Sequence, residues 1–199
     1  MKNNIFLSVI FVIAIVGTLT CCTFGQIRGN GKIISQERNA EDFTDVVLDG
    51  VGKVNIHSSE NYKVVVTTDS NIQDIIEINT HGQRLHIDEN CKWGFNPTKL
   101  TIDVYMPEVK NIKLNGVGKI KIADGKTSDL VIDLCGVGDV EAQYYEVQSV
   151  DISISGTGDV KTMVTDTLKG DISGVGTIFY KGNPEIQKSV TGIGKIKPL

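Results

Sequence analysis

The sequence predicts an all-β chain, a single-domain parallel β-helix (β-solenoid) with coils of about 18–22 residues. Three observations predict it. A Gly-x-Gly triplet recurs at near-constant spacing, apolar residues recur at fixed offsets from it, and the stretches between copies alternate apolar and polar residues with period two.

The triplet occurs at Gly116-Val117-Gly118, Gly136-Val137-Gly138, Gly156-Thr157-Gly158, Gly174-Val175-Gly176 and Gly192-Ile193-Gly194, at spacings of 20, 20, 18 and 18 residues. An earlier copy, Gly50-Val51-Gly52, stands 66 residues before the first of these. Two residues before each copy stand Leu48, Leu114, Leu134, Ile154, Ile172 and Val190. Four residues after its first Gly stand Val54, Ile120, Val140, Val160, Ile178 and Ile196. The central residue of every copy is itself apolar or β-branched. A repeat of this length is too short for a helical hairpin or a propeller blade and suits one coil of stacked short strands.

Glycine at these positions has a physical reason. A sharp corner between strands needs positive φ or a close approach to the neighbouring coil, and both are easy only without a Cβ. The residue before each copy, Asn115, Cys135, Ser155, Ser173 or Thr191, would stack as a ladder of small side chains able to satisfy corner backbone groups. Residues 43–109 alternate in the same way but less regularly, with no further triplet after Gly50-Val51-Gly52. Their length suits three decorated coils, or else a hairpin turning at His81-Gly82.

Ahead of this domain, Lys2 precedes an apolar run from Ile5 to Val16 and then small and polar residues, the layout of a secretory signal peptide. Leu19-Thr20-Cys21-Cys22 resembles a bacterial lipobox, which makes Cys22 the expected lipidated residue. The expected organisation is a signal peptide over 1–21, an N-terminal linker over 22–41 and the β-helix domain over 42–199. Export follows, with a cell-envelope location in the periplasm or on the surface and membrane attachment through the lipid alone. Removing 1–21 leaves 19 basic against 24 acidic residues, a balance that excludes a nucleic-acid partner of the usual basic kind. Cys91 and Cys135 remain and are expected as free, buried thiols, too few for a disulfide framework.

The serial Gly-x-Gly-[Asp/Lys]-[Val/Ile] motifs at Gly50, Gly116, Gly136, Gly156 and Gly192 resemble the head GIN domain family (DUF2807), described as auto-transporter adhesins. Phe43 ahead of the first copy and Gly182-Asn183-Pro184 ahead of the last fit the same pattern. The resemblance spans about residues 40–195 and implies a right-handed β-helix, often with a lipoprotein signal. Here Val mostly replaces the family's central Ser, and Thr177 replaces the charged residue of one copy. The family supplies no catalytic residues.

Candidate chemistry is sparse. None of the triplets continues as a phosphate-binding loop, and no cofactor is expected. Asp139 and Asp159 would stack about one strand spacing apart as weak candidates for a cation, although Ca²⁺ asks for six or more oxygen ligands. Trp93 and Phe95, in the segment Cys91-Lys92-Trp93-Gly94-Phe95-Asn96-Pro97, break the strand pattern and could form an aromatic binding loop or fold back onto the core. The leading expectation is a non-catalytic, adhesin-like β-helix that binds a glycan or protein ligand. The alternatives are a polysaccharide-acting enzyme of the lyase type and a structural envelope lipoprotein. The last coil, running to Ile196-Lys197-Pro198-Leu199, raises end-to-end self-association as a further expectation.

Overall fold

Where the sequence alternates with period two, the chain is strand. The computed structural model describes residues 26–92 and 94–199, so the apolar leader and Cys22 lie outside the described residues. The strands are β1 (Ile27–Arg28), β2 (Ile33–Arg38), β3 (Asp45–Leu48), β4 (Val51–Ser58), β5 (Lys63–Asp69) and β6 (Ile76–His81). There follow β7 (Arg84–Glu89), β8 (Phe95–Asn96), β9 (Leu100–Met106), β10 (Asn111–Leu114), β11 (Val117–Ile122) and β12 (Lys126–Leu134). The chain continues through β13 (Val137–Ile154), β14 (Val160–Ile172), β15 (Val175–Lys181), β16 (Glu185–Val190) and β17 (Ile193–Pro198). Helix among the described residues is limited to a 3-10 turn at Gln73–Ile75, and no helix is long and apolar enough to cross a membrane.

All strands except the β1–β8 pair join one fifteen-stranded sheet that doubles back on itself. One limb holds β7, β3, β10, β12, the second half of β13, the second half of β14, and β16, all paired in parallel. The other limb holds β9, β4, β11, the first halves of β13 and β14, then β15 and β17, again in parallel. Each Gly-x-Gly triplet is the corner at which the chain leaves the first limb for the second. Its repeats register on one another: Gly118 pairs with Gly52 and with Gly138, and Gly176 with Gly194.

The two limbs close on a single apolar core built of ladders. Ile102, Val54, Ile120, Val140, Val160, Ile178 and Ile196 stack up the second limb. Ile87, Leu48, Leu114, Leu134, Ile154, Ile172 and Val190 stack up the first. Most of these side chains are completely buried. The central residues of the triplets point the other way. Val51, Val117, Val137 and Val175 are 45–53 % exposed, and Ile193 is 74 % exposed. Their β-branching suits the extended corner backbone and not the core.

Three features depart from expectation. Gly50 and Gly116 are not separated by three coils: their strands pair directly, and the intervening chain adds β7 and β9 on the far side of β3 and β4. The alternative given for this region, a hairpin turning at His81-Gly82, is the one found: β6 and β7 pair antiparallel around Gly82 at φ 60°, and β5 is sandwiched, also antiparallel, between β2 and β9. Residues 33–38, expected in the linker, form β2 because Ile-Ile-Ser-Gln-Glu-Arg half-buries alternate residues against β5. Cys91 and Cys135 are free, but Cys91 is only half-buried and Cys135 is exposed, because the small-residue ladder Cys135 belongs to faces solvent.

Candidate functional site: a polar groove on the first limb

Strand alternation determines which side chains the first limb offers to solvent. On β3, Val46 and Leu48 point inward, so Asp45, Val47 and the following Asp49 point outward. β7 adds Arg84 and His86, β10 adds Asn111 and Lys113 with Asn115 just beyond, and β12 adds Asp133. Together they line an open groove of ≈ 190 Å³.

The groove repeats one arrangement at both of its ends. Asn111 Nδ2 donates to Asp45 Oδ1 at 2.8 Å, and Asn115 Nδ2 donates to Asp49 Oδ1 at 2.7 Å. A cationic or ionisable group from β7 faces each carboxylate from the other side. Arg84 Nε stands 3.6 Å from Asp45 Oδ2, and His86 Nδ1 stands 2.9 Å from Asp49 Oδ2. The Thr44 hydroxyl also donates to Asp45 at 3.0 Å. Val47, only 6 % exposed, forms an apolar floor between the two ends. Burial works against the charge on Asp49, but hydrogen bonds from Asn115 and His86 and the positive charge of His86 and Lys113 outweigh it and lower its pKa.

The residues singled out by sequence lie elsewhere. Asp139 Oδ1 accepts the Asp159 N–H at 3.0 Å, and Asp159 Oδ1 accepts the Thr177 N–H at 2.7 Å, so each carboxylate ties one repeat to the next. Lys119 is in register with Asp139 but pairs with Glu141 at 2.9 Å, which also takes Lys161 at 3.2 Å. The hydrogen bond from Lys119 is the main reason the Glu141 pKa is lowered. Among the described residues no group of three or more His, Cys, Asp and Glu side chains could hold a metal ion. Phe95 sits half-buried in β8 against the core, and Trp93 lies outside the described residues.

The groove residues were legible in part. Aligned on the triplets, Asp49 and Asn115 occupy the position before the first Gly, and Asp45 and Asn111 the position five before it. Arg84 and His86 carry no such signal, because their strand is followed by no triplet.

A family model described as "Putative auto-transporter adhesin, head GIN domain" matches residues 42–124 and again 111–184. The chain belongs to the head GIN domain family. The two overlapping matches divide near β10 and β11, where the regular run of triplets begins. Among solved structures, this head GIN chain is similar to a putative adhesin from Bacteroides fragilis. The identity is 23 %, the TM-score 0.60, and the match covers 87 % of this chain and 100 % of that one. It is also similar to a putative lipid binding protein from Parabacteroides distasonis, at 20 % identity and TM-score 0.48, covering 88 % of this chain and 100 % of that one. A putative adhesin from Parabacteroides merdae is 20 % identical at TM-score 0.40, covering 87 % of this chain and 99 % of that one. At 23 % identity the likeness to the Bacteroides fragilis protein speaks to the fold alone. No curated protein matches the chain.

Proposed function

We propose that this head GIN protein is an exported, non-catalytic, adhesin-like β-helix that binds its ligand on the outer face of the first limb. In this reading the stacked strands form successive coils of a right-handed parallel β-helix over residues 42–199, cornered at the Gly-x-Gly triplets. Residues 1–21 are removed, and lipidated Cys22 holds the domain at the membrane. Membership of a family described as adhesins supports export and surface binding.

The observation that carries the binding role is the groove itself. Its Asp45 and Asp49 carboxylates are held by amides, a guanidinium and an imidazole, so it presents oriented polar groups on a rigid sheet. Carboxylates engaged in this way are placed to accept hydrogen bonds from a ligand without a large ordering cost.

A glycan array probed with the mature domain, run beside an assay for cleavage of acidic polysaccharides, tests the reading. Binding without turnover is expected. Turnover that disappears in Asp139→Ala or Asp159→Ala, or in groove variants, would replace it with the lyase reading. Radiolabelled fatty acid should enter the wild-type chain and not Cys22→Ala, and equal labelling of the two would overturn the tether.

A further inference from the structure

Resting on that binding role, we infer that the groove takes a neutral oligosaccharide. The groove already carries both signs of charge: Asp45 is paired with Arg84 and Asp49 with His86, and Lys113 stands in register with Asp133. An anionic ligand would meet Asp45, Asp49 and Asp133, and a cationic one would meet Arg84 and Lys113. Drawing Arg84 or His86 away would leave the largely shielded carboxylate of Asp45 or Asp49 uncompensated, which disfavours strongly charged ligands of either sign.

What remains available is hydrogen-bonding capacity of both kinds. Each Asn has donated one N–H to its Asp and keeps a second N–H and its Oδ1. The ionised carboxylates of Asp45 and Asp49 retain lone pairs beyond those the protein uses. Lys113 and Asp133 face each other in register, and among the described residues neither side chain forms a hydrogen bond or ion pair with another side chain. A hydroxyl donates and accepts at once, so it can give its proton to the carboxylate of an Asp–Asn pair while taking the amide N–H.

The spacing identifies the size of the ligand. Asp45 and Asp49 are four residues apart on an extended strand, about 13 Å. That is longer than one sugar ring, so both Asp–Asn pairs are reached together only by a chain of about two or three units. Val47 lies between them, where the C–H face of a ring would rest. Among the described residues the groove offers no Phe, Tyr or Trp for stacking, so each site binds weakly, and useful attachment comes from many copies on one surface.

The test is a titration of the ¹⁵N-labelled domain, residues 22–199, with maltotriose, mannotriose and cellotriose, using dextran sulfate as the anionic comparison. At least one trisaccharide should move the amide signals of residues 45–49, 84–86 and 111–115. The double variant Asn111→Ala/Asn115→Ala should weaken that binding about tenfold or more, as expected for two lost hydrogen-bonding groups. Should that variant fold poorly, Lys113→Met removes a groove donor without touching either Asp–Asn pair, and it should weaken binding as well. Asp139→Ala, on the other limb, should bind as wild type. No groove shift with any of the three sugars, or shifts that survive both groove variants, overturns the inference. Groove shifts with dextran sulfate alone also overturn it but leave the binding role standing. Release of reducing ends during the titration instead overturns the non-catalytic role.

Discussion

The six triplets look alike in sequence, yet the first stands in a different environment from the other five. From Gly116 onward every triplet lies against another triplet. A Cβ on Gly116, Gly136, Gly156, Gly174 or Gly192 would run into the carbonyl oxygen of the corner below it. The same is true of Gly118, Gly138, Gly158, Gly176 and Gly194. Below Gly50 and Gly52 lies the β7–β9 layer, which has no triplet, and there a Cβ would meet the Glu89 carboxylate and the Ile102 side chain. Glycine is thus a backbone requirement in the regular stack and a side-chain packing matter at its decorated end. A flexible side chain can yield and a carbonyl in a ladder cannot.

The widest separation between the two regions should come from one substitution made in each. Gly138 has φ 142° as well as the backbone collision, so Gly138→Ala should cost about 3–5 kcal/mol. In Gly52→Ala the nearest atom is Ile102 Cδ1 at 3.2 Å, and the change should cost less than about 1.5 kcal/mol. Urea unfolding midpoints of the two variants measure the gap, and equal losses would remove the distinction.

The decorated end should be the more sensitive to acid. Asp69, in β5, is fully buried and accepts the N–H of Gly31 and of Thr98, each at 2.7 Å. Burial opposes its ionisation, but these backbone hydrogen bonds outweigh that and lower its pKa. A lowered folded pKa means that the stabilisation is complete above the ordinary aspartate value of about 4 and is lost as pH falls through the folded one. Below about pH 4, amide exchange at Gly31 and Thr98 should therefore speed up before exchange in β12 to β14 does. Asp69→Asn should flatten this pH dependence. Uniform acid exchange along the chain would contradict it.

Smaller effects belong to the regular stack. Thr162 is fully buried in the ladder with Ala142, and its hydroxyl has no hydrogen-bond partner. Thr162→Val should raise stability by about 1 kcal/mol, read as a higher melting temperature. Val137 is an exposed corner residue, so Val137→Thr should change stability by less than about 0.5 kcal/mol.

The same contrast explains what the sequence could reveal. Positions such as Leu114, Leu134 and Ile154 show their inward direction through alternation, and their offset from the triplets fixes the register. The side that Val117 and Val137 face was not legible, because a β-branched residue suits an exposed corner as well as a core. Nor was the order of the layers. Leu85, Ile87, Ile102 and Val104 alternate like any half-buried strand, and nothing local says that they lie beneath β3 and β4 rather than above them. That order is what assembles the groove, since it sets Arg84 and His86 beside Asp45 and Asp49 and leaves Asn111 and Asn115 on the opposite flank. Asp139 and Asp159 read in sequence as adjacent carboxylates, but sequence does not reveal that each takes a backbone N–H from the next repeat.

The central structural claim is that the Gly50 corner and the Gly116 corner are neighbours. Paired cysteines at Val51 and Val117, in a chain carrying Cys91→Ser and Cys135→Ser, test it directly. Val51 and Val117 are partners in adjacent parallel strands, about 4.8 Å apart and within reach of a disulfide. Mild oxidation should close that bond in the folded monomer as readily as it closes Val117→Cys/Val137→Cys. If Gly116 lay three coils on from Gly50, the two corners would be about 14 Å apart. The Val51 and Val117 thiols would then stay free while the control pair closed, and that result would contradict the layer order on which the groove depends.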